Sequence, residues 1–185
     1  GAIGEPRFVN IKLYQPLKPE LYQGELPWRV KPEISGGGLF HDLAPHQLDI
    51  LDFLLGPITA ASGQVANQGC MYEAEDLVTA QFKFESGALG SGVWCFSIAE
   101  EQQQDSIEIV GSAGSVVFPT FAQQNPVRLE TAAGVEKFLL PPPAHVQQPF
   151  IQAIVDELTG KGQCPGSAVS AVRTAWVMDQ IVGRG

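Results

Sequence analysis

The sequence predicts an α+β domain: an open, mainly antiparallel β-sheet with helices packed on one face and the other face available for dimerisation. Three observations predict it. Segments of two-residue alternation cluster in the middle of the chain while helical stripes stand before and after them, so helices and strands are segregated rather than interleaved. Over 185 residues, 44% are hydrophobic and 17% charged, a globular balance. A chain of this size hides roughly 70% of its unfolded surface and needs no disulfide or metal staple.

The elements follow in order. From Gly4 to Leu17, Val9, Ile11 and Leu13 alternate with Phe8, Asn10, Lys12 and Tyr14, the pattern of a strand that Pro16 and Pro19 end. Residues 18–35 hold Pro19, Pro27 and Pro32 and read as a long loop around Trp28-Arg29. After Gly36-Gly37-Gly38, Leu48, Leu51 and Leu55 recur at helical spacing, Ile50 and Leu54 widen the stripe, and Gly56-Pro57 stops it. Strands are expected at Ile58–Ala66, Leu77–Glu85, Ala88–Ile98, Ser106–Val110, Ser115–Phe118, Val127–Thr131 and Val135–Leu140. Past Pro141-Pro142-Pro143 the period changes: Phe150, Ile151, Ile154, Val155 and Leu158 form one helical stripe stopped by Gly160, and Ser167 is placed to cap a last helix.

The strand at residues 88–98 carries apolar groups on both sides, Trp94 and Phe96 on one and Leu89, Val93 and Cys95 on the other. A sheet apolar on both faces needs a second cover, and a symmetric partner is the usual one. The chain reads as one domain over residues 1–185, and its opening directly into a strand, with no initiator Met, suggests a piece of a longer protein.

Charge and composition exclude several function classes. Eleven Lys and Arg against twenty Asp and Glu give a formal charge of −9, the wrong sign for holding nucleic-acid phosphates. No apolar run reaches the ~20 residues of a membrane-spanning helix. Three cysteines, Cys70, Cys95 and Cys164, with no Cys-x-x-Cys encode neither a disulfide framework nor a zinc ribbon, which fits a reducing, cytoplasmic compartment.

Chemistry concentrates in residues 36–49. On a continuous helix Asp42, His46 and Asp49 fall at i, i+4 and i+7, within about 60° of one another. Pro45 is expected to break or kink that helix and point the imidazole into the space beyond it. The three glycines let another backbone or a ligand come close. Three arrangements fit the spacing. A carboxylate beside an imidazole suits proton transfer near neutral pH. Asp42 capping a helix, with His46 satisfied in the core, fits as well. A metal site from Asp42, His46 and Asp49 lacks a second His or Cys to complete it, so no metal is assigned. His41 is expected to point away from this group by the helical period.

The string Trp28-Arg29, Ser35-Gly36-Gly37-Gly38, Asp42-x-Ala44-x-His46-x-x-Asp49 and the apolar helix ending Leu54-Leu55-Gly56 resembles the signature of the Gfo/Idh/MocA oxidoreductases. The opening Ile3-Gly4-Glu5-Pro6, the strand run and the closing helices are similar to that family's second domain, so the likeness covers nearly the whole chain. Ala44-Pro45 departs from the Gly-x usual there.

The resemblance implies a two-domain parent, in which an N-terminal Rossmann domain binds NAD or NADP and the present domain binds substrate and pairs subunits. No Gly-x-Gly-x-x-Gly stands between a strand and a helix in this chain, so the fragment alone is expected to bind no cofactor and to be inactive. Carried over, Asp42 and His46 become the catalytic pair at the reacting carbon of a sugar, cyclitol or similar polyhydroxylated substrate. Asp49, Arg29, Lys12 and Tyr14 become candidate substrate-binding residues. The competing reading is a non-catalytic binding and oligomerisation module on the same scaffold.

Overall fold

The computed structural model describes residues 1–122 and 124–184. Eight strands form one sheet in the order β2-β3-β4-β1-β5-β6-β7-β8. They are β1 (Pro6–Pro16), β2 (Ile58–Ala66), β3 (Leu77–Phe84), β4 (Leu89–Ile98), β5 (Gln104–Gly111), β6 (Gly114–Phe118), β7 (Val127–Thr131) and β8 (Gly134–Phe138). Around them stand the one-turn α1 (Pro32–Ser35), α2 (Leu39–Leu55), α3 (Gln148–Leu158) and α4 (Ala168–Val182). The α+β reading holds, with one exception to the antiparallel rule. β1 lies between β4 and β5, parallel to the first and antiparallel to the second, which the long crossover through α2, β2 and β3 permits.

Alternation places the side chains as expected. Val9, Ile11 and Leu13 of β1, Val78, Ala80, Phe82 and Phe84 of β3, Trp94 and Phe96 of β4, and Ile107 and Ile109 of β5 face one way into a single core. Phe40, Ala44, Leu48 and Leu51 of α2 and Val177, Met178 and Ile181 of α4 cover it. The opposite face is open and mixed: Phe8 and Leu89 are exposed, and Ser91 Oγ donates to Asn10 Oδ1 while Asn10 Nδ2 donates to Glu108 Oε2, a polar line across β4, β1 and β5.

Helix α4 presses onto the edge strand at Gly63, where a Cβ would meet the Ile181 carbonyl oxygen at 2.8 Å and that of Thr79 at 2.5 Å. Only glycine lets the helix backbone sit that close. Ser167 caps α4 through a reciprocal pair of hydrogen bonds with Ser170. Asp52, buried on α2, accepts Arg173 Nε from α4 at 2.9 Å and a second bond from the same guanidinium, tying the two helices together.

Pro45 does not break α2. The helix runs unbroken from Leu39 to Leu55 with Pro45 inside it. An interior proline costs about 3 kcal/mol, but burying side chains the size of Phe40, Leu48 and Leu51 stabilises by roughly 1.5–3 kcal/mol each, so packing outweighs the lost hydrogen bond. Trp94 Nε1 also donates to Gln47 Oε1 at 2.7 Å in the buried interface, fixing the helix against β4.

Candidate functional site

The exposed face of α2 borders a cleft of about 720 Å³ between α2 and α4, lined also by Phe150 of α3. His41, Pro45, His46 and Asp49 line it from α2, and Ser170, Thr174 and Asp179 from α4. A smaller space of about 520 Å³ continues it past His46 and Asp49 toward Asp52 and Arg173. His46 is exposed at the cleft and is not a core histidine. Its imidazole stands edge-to-face with the ring of Phe121, 5.7 Å between centroids at 88°. Asp49 reaches across to α4, where Thr174 Oγ1 donates to its Oδ1 at 3.5 Å.

Asp42 is engaged elsewhere. Its Oδ2 accepts Arg29 Nε at 2.9 Å, and the Arg29 guanidinium lies 4.6 Å over the Trp28 ring. The expected Asp42–His46 pair is therefore corrected to an Asp42–Arg29 pair, because the 28–30 turn brings a full cation to the carboxylate. Both partners are open to water, with side chains 49% and 33% exposed. An ion pair that exposed is worth about 0–1 kcal/mol, so a ligand can open or bridge it.

Lys12 and Tyr14 are not brought to this cleft. Strand alternation sends them to the open face, opposite Leu13 and Ile11, whose side chains point toward α2. Of the candidate residues, His46 and Asp49 line the cleft. Asp42, one turn earlier on α2, pairs with Arg29 of the 28–30 turn, and neither of these two is among the lining residues. Lys12 and Tyr14 lie beyond the sheet.

His41 is the second correction. It lines the cleft, and its Nδ1 sits 3.0 Å from Glu75 Oε1 with both side chains only 13% exposed. Its Nε2 faces an Arg184 nitrogen at 3.4 Å. The first turn of α2 is tightened, with His41 N–H bonded to the Gly38 carbonyl three residues back, and an ideal helical wheel misplaces a side chain there. Burial by itself raises the Glu75 carboxyl. The hydrogen bonds it accepts from His41 and from backbone N–H groups, with the His41 charge, outweigh burial and hold it below its usual range.

Nothing local in the sequence points to Glu75, 34 residues from its partner; the signal was the Gly37-Gly38 pair. A Cβ at Gly37 would meet His41 Nδ1 at 2.0 Å, and one at Gly38 would meet the Glu75 carbonyl oxygen at 2.7 Å. The same packing tests the chain as a dinucleotide holder. The Gly36–Gly38 turn before α2 is the place where a phosphate cradle would form, and it is filled by the His41 ring and by Glu75, whose Oε1 takes the Gly38 N–H at 3.3 Å. At Gly37 and Gly38, therefore, the residues present do not fit a dinucleotide phosphate.

Among the described residues no three His, Cys, Asp or Glu side chains converge as a metal site, and no helix is long and apolar enough to cross a membrane.

Comparison with known proteins agrees with this architecture. The family model described as the GFO/IDH/MocA C-terminal domain matches residues 1–117. Oxidoreductase P35 of Formosa agariphila is 31% identical over 190 aligned residues, covering 99% of this chain and 56% of that protein. The 1,5-anhydro-D-fructose reductase of Ensifer adhaerens is 28% identical over 168, covering 88% and 48%. A levoglucosan dehydrogenase solved with NADH and levoglucosan superposes with a TM-score of 0.81 at 21% identity, over 100% of this chain and 57% of that one. The chain spans about half the length of the curated relatives it matches.

Proposed function

The chain belongs to the GFO/IDH/MocA C-terminal domain family, and we propose that it is the substrate-binding half of an NAD(P)-dependent oxidoreductase. Its substrate would be a sugar, a cyclitol or a similarly hydroxylated small molecule. The observation that carries this reading is His46, an exposed imidazole in mid-helix at an open cleft. Asp49 lies one turn after it and the Asp42–Arg29 pair one turn before it. The names of two relatives, a 1,5-anhydro-D-fructose reductase and a levoglucosan dehydrogenase, support the substrate class.

Oxidising a carbinol requires a base for the hydroxyl proton, and reducing the carbonyl requires the same group as an acid. A ring nitrogen of His46 accepts the proton in one direction and returns it in the other, the role an imidazole plays in general acid–base catalysis. The Asp42–Arg29 pair presents one acceptor and one donor side by side, and a vicinal diol inserts between them at small cost because the pair is weak. Asp49 accepts a further hydroxyl at the cleft. The dinucleotide, NAD or NADP, is assigned to the portion of the parent outside these residues.

The test is the full-length parent screened with both nicotinamides against a panel of polyols, followed by His46→Gln. Loss of about 10²–10⁴-fold in kcat, with KM for the polyol little changed, is expected of a proton-transfer residue. Wild-type turnover from His46→Gln overturns the assignment.

The open sheet face, with Phe8, Leu89, Lys12 and Tyr14, is assigned to a second copy of the chain, because apolar and polar groups there lie side by side without cover. Light scattering at micromolar concentration is expected to return twice the chain mass, and a monomeric mass removes this assignment.

A further inference from the structure

We propose that Phe121 is a positioning residue for His46 and that Asp105 is the clamp that holds Phe121 in place. The inference rests on the reading of His46 as the proton-handling group and extends it to two residues that carry no motif. Asp105, the second residue of β5, lies opposite Leu13 of β1. Paired residues of adjacent strands share a face, so Asp105 stands on the helix side of the sheet, at the end where α2 begins.

Its carboxylate gathers three consecutive backbone N–H groups from the connection after β6. Thr120 donates to both oxygens at 3.0 and 3.1 Å, Phe121 to Oδ2 at 2.6 Å and Ala122 to Oδ2 at 2.8 Å. Hydrogen bonds to an ionised acceptor are about twice as strong as neutral ones. Residues 119–122 belong to neither β6 nor β7, so this one side chain does the work a sheet ladder does elsewhere.

The stretch so held delivers the Phe121 ring against the His46 imidazole. An exposed histidine on a helix surface samples several staggered rotamers. A fixed aromatic wall on one side removes some of them and leaves the other side of the ring toward the cleft. Misplacing a reacting group by 1 Å costs about 10²-fold in rate, so holding this ring is worth a dedicated carboxylate.

The chain has three histidines, His41, His46 and His145, so the imidazole resonances lost in His46→Gln are those of His46 and the two sets that remain serve as internal controls. In the wild-type chain a nuclear Overhauser contact between the His46 and Phe121 rings is expected. Phe121→Leu moves the His46 resonances and leaves those of His41 and His145 in place. Asp105→Ala abolishes the ring contact and the amide protection of Thr120, Phe121 and Ala122, and Asp105→Asn, which keeps one acceptor oxygen, retains part of both. In the full-length parent Phe121→Leu lowers kcat by roughly 10- to 100-fold with a smaller change in KM. His46 resonances that stay fixed in both Phe121→Leu and Asp105→Ala overturn the proposal. Because the first readout is the imidazole, failure of the clamp leaves those resonances unmoved while His46→Gln is still inactive. Failure of the dehydrogenase reading leaves His46→Gln active while they move.

Discussion

Helices α2 and α3 carry the same kind of apolar stripe, yet one is the middle of the molecule and the other is its rim. α2 buries Phe40, Ala44, Gln47, Leu48, Leu51 and Asp52 and accommodates a proline in its interior. α3 buries none of its residues, and Phe150, Ile151, Val155 and Leu158 stay exposed along it. Periodicity does not separate the two. What differs is what stands opposite: α2 lies over the core face of β4 and β1, whereas α3 follows the proline run after β8, an edge strand exposed along its whole length. A helical period specifies an apolar face; topology decides whether a sheet is there to receive it. An 11-residue helix has little intrinsic stability, so the two helices differ in energy far more than in sequence.

The comparison breaks or sharpens first at Phe40. Its ring is fully buried and stands edge-to-face on Trp94 at 5.1 Å. Phe40→Ala is expected to cost about 3–5 kcal/mol, the range for deleting a buried ring and leaving a cavity. The measurement is the shift of the urea midpoint at unchanged slope. A loss below about 1 kcal/mol would mean that α2 is no better anchored than α3, since changes at exposed positions fall in that range.

Next in size is the anchor at the start of α2. Burial alone raises the Glu75 carboxyl, but the His41 hydrogen bond and the backbone N–H groups prevail, and its folded pKa lies below 4.5. The unfolded state therefore binds this proton more readily than the folded state. The stabilisation is fully present above 4.5 and is lost as pH falls through the lower folded value. The gap in urea midpoint between wild type and Glu75→Gln is expected to be widest near neutral pH and to close in acid. A gap independent of pH would mean that Glu75 supports α2 by shape alone.

The same contrast explains what was legible in the sequence. The strands were, nearly to their ends, because alternation of Val9, Ile11 and Leu13 or of Val78, Ala80, Phe82 and Phe84 is a local signal that burial then obeys. The stop of α2 at Gly56 and the Ser167 cap were legible for the same reason. The parallel pairing of β1 with β4 was not, because it depends on register between segments about 80 residues apart, as Asn10 opposite Ser91 is. The continuity of α2 through Pro45 was hidden by a local rule that tertiary packing overrides. At the site, His46 and Asp49 followed from spacing, since both lie past the tightened first turn. Asp42 found Arg29 rather than His46, and His41 found Glu75, because both partners arrive from loops with no periodicity to read. Asp105 and Phe121 belong to the same class: a carboxylate and a loop 16 residues apart leave no pattern.

The smallest expected effect is the most direct check on α3. Leu158 is 82% exposed, and Val155 and Ile151 lie along the same exposed stripe. The helix is held locally, by the Gln152–Asp156 side-chain bond at 2.9 Å and by Thr159 Oγ1 donating to the Val155 carbonyl at 2.8 Å. If no part of the chain packs on that stripe, replacing Ile151, Val155 and Leu158 singly by Ser alters the surface and not the core. Each change is then expected to shift stability by no more than about 0.5 kcal/mol, as surface substitutions do, with the urea transition unmoved and α3 amides exchanging long before those of α2. A loss at Val155→Ser comparable to that at Phe40→Ala would require α3 to fold back onto an apolar surface in solution, and the contrast between the two helices would then be one of conformation rather than of topology.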